Sequence, residues 1–295
     1  MIAPPPSVPA ESYEQARARA RAFLDLDGND VLPAACSAFF DHGRRTPLAV
    51  LLLHGYTNNP AQYSEFAPLV FERGANVFVP RMPKHGERNR LTDRIASLRA
   101  EELVQCASDA LDVTLGLGDR VGVLGISMGA GLAAFVAQYR TVAIAVPVAP
   151  DFALLDLSYP VSHFAGRVLA ALPNFFIWWD PRERGHHRPL TAYPRFSTRA
   201  LAQTLRIGDE VYAAVRRQPQ CAQRIVTIVN RNDPAVNNEV TQQVHLHWSG
   251  WNSAGAEYVE LRGLPENHDI IDPQNPFART AQVYPRLLKA LGVGE

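Results

Sequence analysis

The sequence predicts an α/β fold: a mostly parallel, doubly wound sheet with an antiparallel N-terminal edge and a helical cap insertion. Three observations carry this. Short β-rich runs recur along the chain, and several are apolar throughout, as strands covered on both faces must be. Helical patterns separate them, so strand and helix alternate. The alternation lapses once, between Asp151 and about Gln220, where helix-like apolar segments follow one another without convincing strands.

In chain order, "MIAPPPSVPAES" lacks the basic start and apolar run of a secretory leader, and its prolines predict an extended, partly disordered lead. Cytoplasmic residence is the resulting expectation. "ESYEQARARARAFLDLDG" reads as a short amphipathic helix closed by Gly28. "SAFFDHGRRTPLAVLLLHG" predicts two strands joined by a glycine-containing turn, an antiparallel hairpin opening the sheet. The sheet proper takes "LAVLLL" (48–53), "NVFVP" (76–80), "VGVLGI" (121–126), "VAIAVPV" (142–148), "RIVTIV" (224–229) and "YVEL" (258–261). Helices are expected from "PAQYSEFAPLVFERG", "AEELVQCASDALDVTLGLG", "SMGAGLAAFVAQY" and "PFARTAQVYPRLLKALG", the last kinked at Pro285. The chain divides into an N-terminal lead, helix and edge strand (1–46), a core (47–150 and 221–295) and an insertion (151–220). In the insertion, "FAGRVLAALPNFFIWW" and "STRALAQTLRIGDEVYAAVRR" are expected to lie over the carboxyl edge of the sheet.

Composition narrows the function. At 47% hydrophobic and 20% charged, the chain has the makings of a packed core and not of a disordered segment. Its 29 basic residues cancel 29 acidic ones, so no global field draws it to nucleic acid, and a small-molecule partner is expected. Apolar runs such as "VLAALPNFFIWW" are too short to cross a bilayer and are broken by Pro173, which argues against stable membrane insertion. Cys36, Cys106 and Cys221 are odd in number and widely spaced, suggesting neither a disulfide framework nor a zinc site. His245 and His247, two apart on an expected helix, point to different faces, so no metal is expected there. His186 and His187 fall in a polar, loop-like stretch. Nothing in the residues specifies an oligomeric state.

The chemistry centres on Gly125-Ile126-Ser127-Met128-Gly129, a G-x-S-x-G sequence where a strand ends and a helix begins. A sharp turn there projects the serine above the sheet and aims the helix's first N–H groups at the same point, where negative charge would develop. "GISMGAG" also fits the glycine-rich turn of short-chain dehydrogenases, but that reading requires the turn after the first strand and a Tyr-x-x-x-Lys pair, and neither is present. A serine hydroxyl needs a base and an orienting acid. His268 in "GLPENHDIIDPQNP" follows the last expected strand, and Asp233 in "RIVTIVNRNDPAV" follows the preceding one. Asp151, which ends "VAIAVPVAPD", is the alternative acid. Asp269 and Asp272 read as loop residues. "LLLHGYTNNP" follows the first apolar strand; there Gly55 lets the chain turn, so that the Tyr56 N–H, with that of Met128, can receive an oxyanion. His54 and His85 read as holding backbone. Phe175, Phe176, Trp178 and Trp179 concentrate apolar surface in the insertion, either as core packing or as the lining of a pocket for an apolar or aromatic group.

"HGYTNNP", "VPRMPKHGE", "GISMGAG", "NDPAV" and "NHD", in that order, resemble the signature loops of the α/β-hydrolase superfamily, specifically microbial carboxylesterases and monoacylglycerol-lipase-like esterases. The resemblance implies that Ser127 attacks an ester carbonyl, His268 shuttles the proton, Asp233 holds His268, and Tyr56 and Met128 form the oxyanion hole through their backbone, with no metal or organic cofactor. It implies a serine carboxylesterase acting on short-to-medium acyl or aromatic esters. Monoacylglycerol lipase, thioesterase or carbon–carbon bond hydrolase remain open, as does a binding protein that kept the fold without turnover. Two departures stand out. The first loop reads His-Gly-Tyr and not the His-Gly-Gly-Gly of another esterase branch, and Lys84 stands where the family often carries glycine.

Overall fold

The computed structural model describes residues 2–184 and 186–294. Seven strands form the main sheet: β1 (Ala38–Phe40), β2 (Thr46–Leu53), β3 (Asn76–Val79), β4 (Gly118–Ile126), β5 (Ile144–Val148), β8 (Arg224–Asn230) and β9 (Ala256–Leu261). Two more, β6 (Phe176–Trp178) and β7 (Arg195–Ser197), pair as a separate ribbon. The sheet order is β1-β3-β2-β4-β5-β8-β9, with every pairing parallel except β1 on β3. The helices are α1 (Tyr13–Asp25), α2 (Phe66–Glu72), α3 (Ala100–Leu117), α4 (Met128–Tyr139), α5 (Tyr159–Ala171), α6 (Thr198–Val215), α7 (Asn238–Trp251) and α8 (Thr280–Leu291).

Side-chain alternation along the strands builds two cores. Ala49, Leu51, Leu53, Val121 and Val123 face α1, α3, α4, α6 and α7. Val50, Leu52, Leu124, Ile126 and Val146 face α2 and α8. Covering both faces is why β5 and the carboxyl halves of β2 and β4 are apolar at every position. Helix α4 is buried along nearly its whole length because α6 lies over it as well.

Four expectations are corrected. β1 is the antiparallel edge, but it pairs with β3 and not with β2, so there is no hairpin. The segment 41–45 carries the chain across instead, tied by Asn76, whose Oδ1 accepts the His42 N–H and whose Nδ2 donates to Arg44 O. The proline-rich lead is docked: Ile2 is buried and its N–H donates to Glu210 Oε2 at 2.9 Å, while the Val8 N–H donates to Asp112 Oδ2 at 2.7 Å. The insertion contains strands after all, in the β6–β7 ribbon, and α6 packs into the core beneath α5. α1 ends at Asp25, with Leu26 and not Gly28 at its C-cap.

Because β2, β4, β5, β8 and β9 are parallel neighbours, their carboxyl ends lie in a row along one edge. Tyr56, Ser127, Asp151, Asp233 and His268 each follow one of them, the usual position for a site in an open α/β sheet.

Candidate active site

Ser127 sits between β4 and α4 with φ 57° and ψ −120°, a left-handed conformation that costs a non-glycine residue about 1–3 kcal/mol. The fold holds it there: its N–H donates to Val148 O at 3.0 Å and its carbonyl accepts from Gly131 N at 2.9 Å. The flanking glycines are steric necessities. A Cβ on Gly125 would stand 2.0 Å from Gly129 O, and one on Gly129 would stand 2.0 Å from Leu53 O.

The loop after β2 runs against this elbow, since a Cβ on Gly55 would lie 3.5 Å from Ser127 Cβ. Gln62 Oε1 accepts the Gly55 N–H at 2.8 Å, Gly55 O accepts the Asn58 N–H at 3.2 Å, and Thr57 adopts φ 61°. Among the described residues neither the Tyr56 N–H nor the Met128 N–H meets an acceptor, which leaves two donors available beside the serine. The Tyr56 side chain points elsewhere: its hydroxyl donates to Ser197 O at 2.9 Å and accepts from Ser197 N at 3.0 Å. His54 is fully buried, with Nε2 accepting the Met82 N–H at 3.0 Å and Nδ1 lying 3.0 Å from Gly55 O, and burial pushes its pKa well down. A neutral imidazole satisfied at both nitrogens holds backbone, as its loop position suggested.

His268 Nδ1 lies 2.8 Å from Asp233 Oδ2, so Asp233 and not Asp151 is the carboxylate on this ring. Asp233 is itself fixed by the Ala235 N–H at 2.8 Å and the Val236 N–H at 3.3 Å on its other oxygen. The Nδ1–H tautomer leaves Nε2 as the basic nitrogen. Burial lowers the His268 pKa, but the charge and hydrogen bond of Asp233, aided by Asp269 and Asp151, outweigh it and raise the value to about 9. No hydrogen bond joins Ser127 to His268 among the described residues, and such contacts commonly tighten only with substrate in place. Asp151 links the two: its N–H donates to Ser127 O at 3.3 Å, and its carboxyl acts electrostatically on His268.

A model of a family described as "Alpha/beta hydrolase family" matches residues 50–283. The chain belongs to this alpha/beta hydrolase family. Solved structures agree on the fold. A structure of the metagenome-derived lipolytic enzymes LipS and LipT superposes with a TM-score of 0.66 at 19% identity, covering 89% of this chain and 99% of that one. A soluble variant of monoglyceride lipase from Saccharomyces cerevisiae gives 0.66 at 14%, covering 88% and 92%. Monoacylglycerol lipase from Paleococcus ferrophilus gives 0.63 at 16%, covering 88% and 98%. A comparison with curated proteins found no match.

In this hydrolase chain only Phe176 of the four aromatic residues of the insertion packs against the core. Phe175 and Trp179 are exposed and Phe176 and Trp178 half-buried. Trp179 alone reaches the loop that carries Tyr56, its Nε1 donating to Thr57 Oγ1 at 3.0 Å. Lys84 has φ 64°, which explains why glycine suits the position; its ammonium is anchored on Glu102 Oε2 at 2.6 Å.

Sequence reasoning missed an amide scaffold. Asn230 Nδ2 donates to Pro265 O at 3.0 Å and Asn267 O at 2.7 Å, and Asn232 Nδ2 to Leu264 O at 2.8 Å, stitching the Asp233 turn to the His268 loop. Asn58 Nδ2 donates to Asp269 Oδ2 at 2.9 Å and Asp272 Oδ2 at 3.1 Å, tying the first loop to the same segment. Asp269 and Asp272 are therefore structural, not idle loop residues; burial and the charge of Asp269 push Asp272 up to about 7. The density of asparagine in "NN" and "NRND" was the available signal. No cluster of three or more metal-ligand side chains occurs among the described residues.

Proposed function

We propose that this protein is a serine carboxylesterase. The observation that carries the reading is the strained Ser127, set beside two unpaired N–H groups at the same sheet edge as the Asp233–His268 pair. His268 Nε2 takes the Ser127 proton as Oγ adds to the ester carbonyl, and the resulting oxyanion accepts the Tyr56 and Met128 N–H groups. The imidazolium, held by Asp233, then protonates the departing alcohol and leaves an acyl-enzyme. Water, deprotonated by His268, attacks that ester; its proton returns to Ser127 as the acid leaves. The chain completes this cycle with its own groups.

The part of 151–220 that projects, α5 and the β6–β7 ribbon, serves as the cap. Its outer surface is apolar: Val161, Phe164, Val168 and Leu172 recur along one face of α5, and Phe175, Ile177 and Trp179 alternate along the ribbon, all exposed. That favours uncharged, partly apolar esters as the substrate class.

The test is hydrolysis of p-nitrophenyl esters of increasing acyl length beside Ser127→Ala, with fluorophosphonate labelling of both proteins. Activity and label should vanish together in the variant, and the length profile measures the pocket. A variant that hydrolyses as fast as the parent removes Ser127 as nucleophile, and an unlabelled, inactive parent favours the binding-protein alternative.

A further inference from the structure

We propose that Asp151 selects the substrate: set among Ser127, Tyr56 and His268, its carboxyl accepts a hydrogen bond from a hydroxyl carried a few bonds from the scissile carbonyl. The inference rests on the hydrolase reading of Ser127. Asp151 is 8% exposed and follows β5 at the row of strand ends, bonded through its N–H to the carbonyl of Ser127. It is not the orienting acid, because Asp233 occupies His268 Nδ1.

Thr204 occupies one oxygen of this carboxyl, its Oγ1 donating to Asp151 Oδ2 at 2.6 Å. Burial raises the Asp151 pKa, while the Thr204 hydrogen bond and the charge of His268 act the other way. Oδ1 has no hydrogen-bond partner among the described residues and is not sealed from solvent, so it is the oxygen left to accept from a substrate hydroxyl. The triad does not need this acceptor, and burying it unpaired against an alkyl ester costs binding free energy that a substrate hydroxyl restores.

The experiment compares three esters by pH-stat: ethyl butanoate, ethyl 3-hydroxybutanoate and 2-hydroxyethyl butanoate, with the methyl ethers of the two alcohols as controls. Each kcat/KM is divided by the ester's hydroxide-catalysed rate, and the comparison is run on the parent, Asp151→Asn, Asp151→Leu and Ser127→Ala. The parent should favour one hydroxy ester over ethyl butanoate by about tenfold, while its ether shows no advantage. Whichever arm responds identifies the half of the ester that carries the hydroxyl. Asp151→Asn, whose amide oxygen still accepts, should keep a preference, and Asp151→Leu should bring the ratio to about one. Each ratio is internal to one protein, so partial misfolding cancels. Should Asp151→Leu fail to fold, the parent's discrimination between hydroxyl and ether still decides. No such discrimination, or a preference that survives in Asp151→Leu, overturns the proposal. Hydrolysis that dies with Ser127→Ala but ignores the hydroxyl sinks this inference alone; an inactive parent sinks the hydrolase reading with it.

Discussion

The proposed base, His268, is expected to work in alkaline solution. With the His268 pKa raised to about 9, roughly one imidazole in a hundred is neutral at pH 7, against about three-quarters for a histidine at the ordinary 6.5. Only the neutral ring can accept the Ser127 proton. For the free enzyme, kcat/KM on a non-ionising ester should therefore rise about tenfold per pH unit from 6 to 8 and level off near 9. Asp233→Asn removes the largest stabiliser of the imidazolium and leaves burial to act against the smaller contributions of Asp269 and Asp151, so the inflection should fall well below 9. The same substitution favours the wrong tautomer, and the plateau should drop by about 10⁴-fold. The assay is initial-rate hydrolysis of p-nitrophenyl butanoate between pH 5 and 10, followed at an isosbestic wavelength and corrected for the uncatalysed rate. A parent profile that is flat between pH 7 and 9, or an inflection that Asp233→Asn leaves in place, refutes the assignment of Asp233 and His268.

Three further outcomes are expected. Because the folded His268 value exceeds 6.5, the interaction stabilises the fold fully below that pH and is lost as pH rises through about 9; Tm of the parent minus that of His268→Ala, measured across this range, should shrink on the alkaline side. Gly129→Ala drives a methyl group to 2.0 Å from Leu53 O, so it should abolish soluble folded protein or lower Tm by more than 10 °C, and a normal melting curve would contradict the close approach. Asn58→Ala strips the donor shared by Asp269 and the buried Asp272 and should cost about 2–3 kcal/mol in urea unfolding, while loss of the loop tether also lowers kcat.

Much of the site was legible in the chain because each of its parts is local. A strand that ends in G-x-S-x-G must turn sharply, and the 2.0 Å approaches at Gly125 and Gly129 are the physical content of that motif. Uninterrupted apolar runs had to be parallel strands covered on both faces, which places residues that follow them along one edge. What local pattern could not decide was partnership. β1 pairs with β3 because the sheet, not the turn at Gly43, offered it an edge. The lead looked loose until Asp112 and Glu210, more than a hundred positions away, supplied acceptors for its N–H groups. Asp233 and Asp151 both followed strands, and only the tertiary arrangement brought Asp233 onto His268 while leaving Asp151 on Thr204. Strand, turn and helix follow from the torsions and burial that neighbouring residues impose; which carboxyl meets which ring depends on distances between segments that only packing sets.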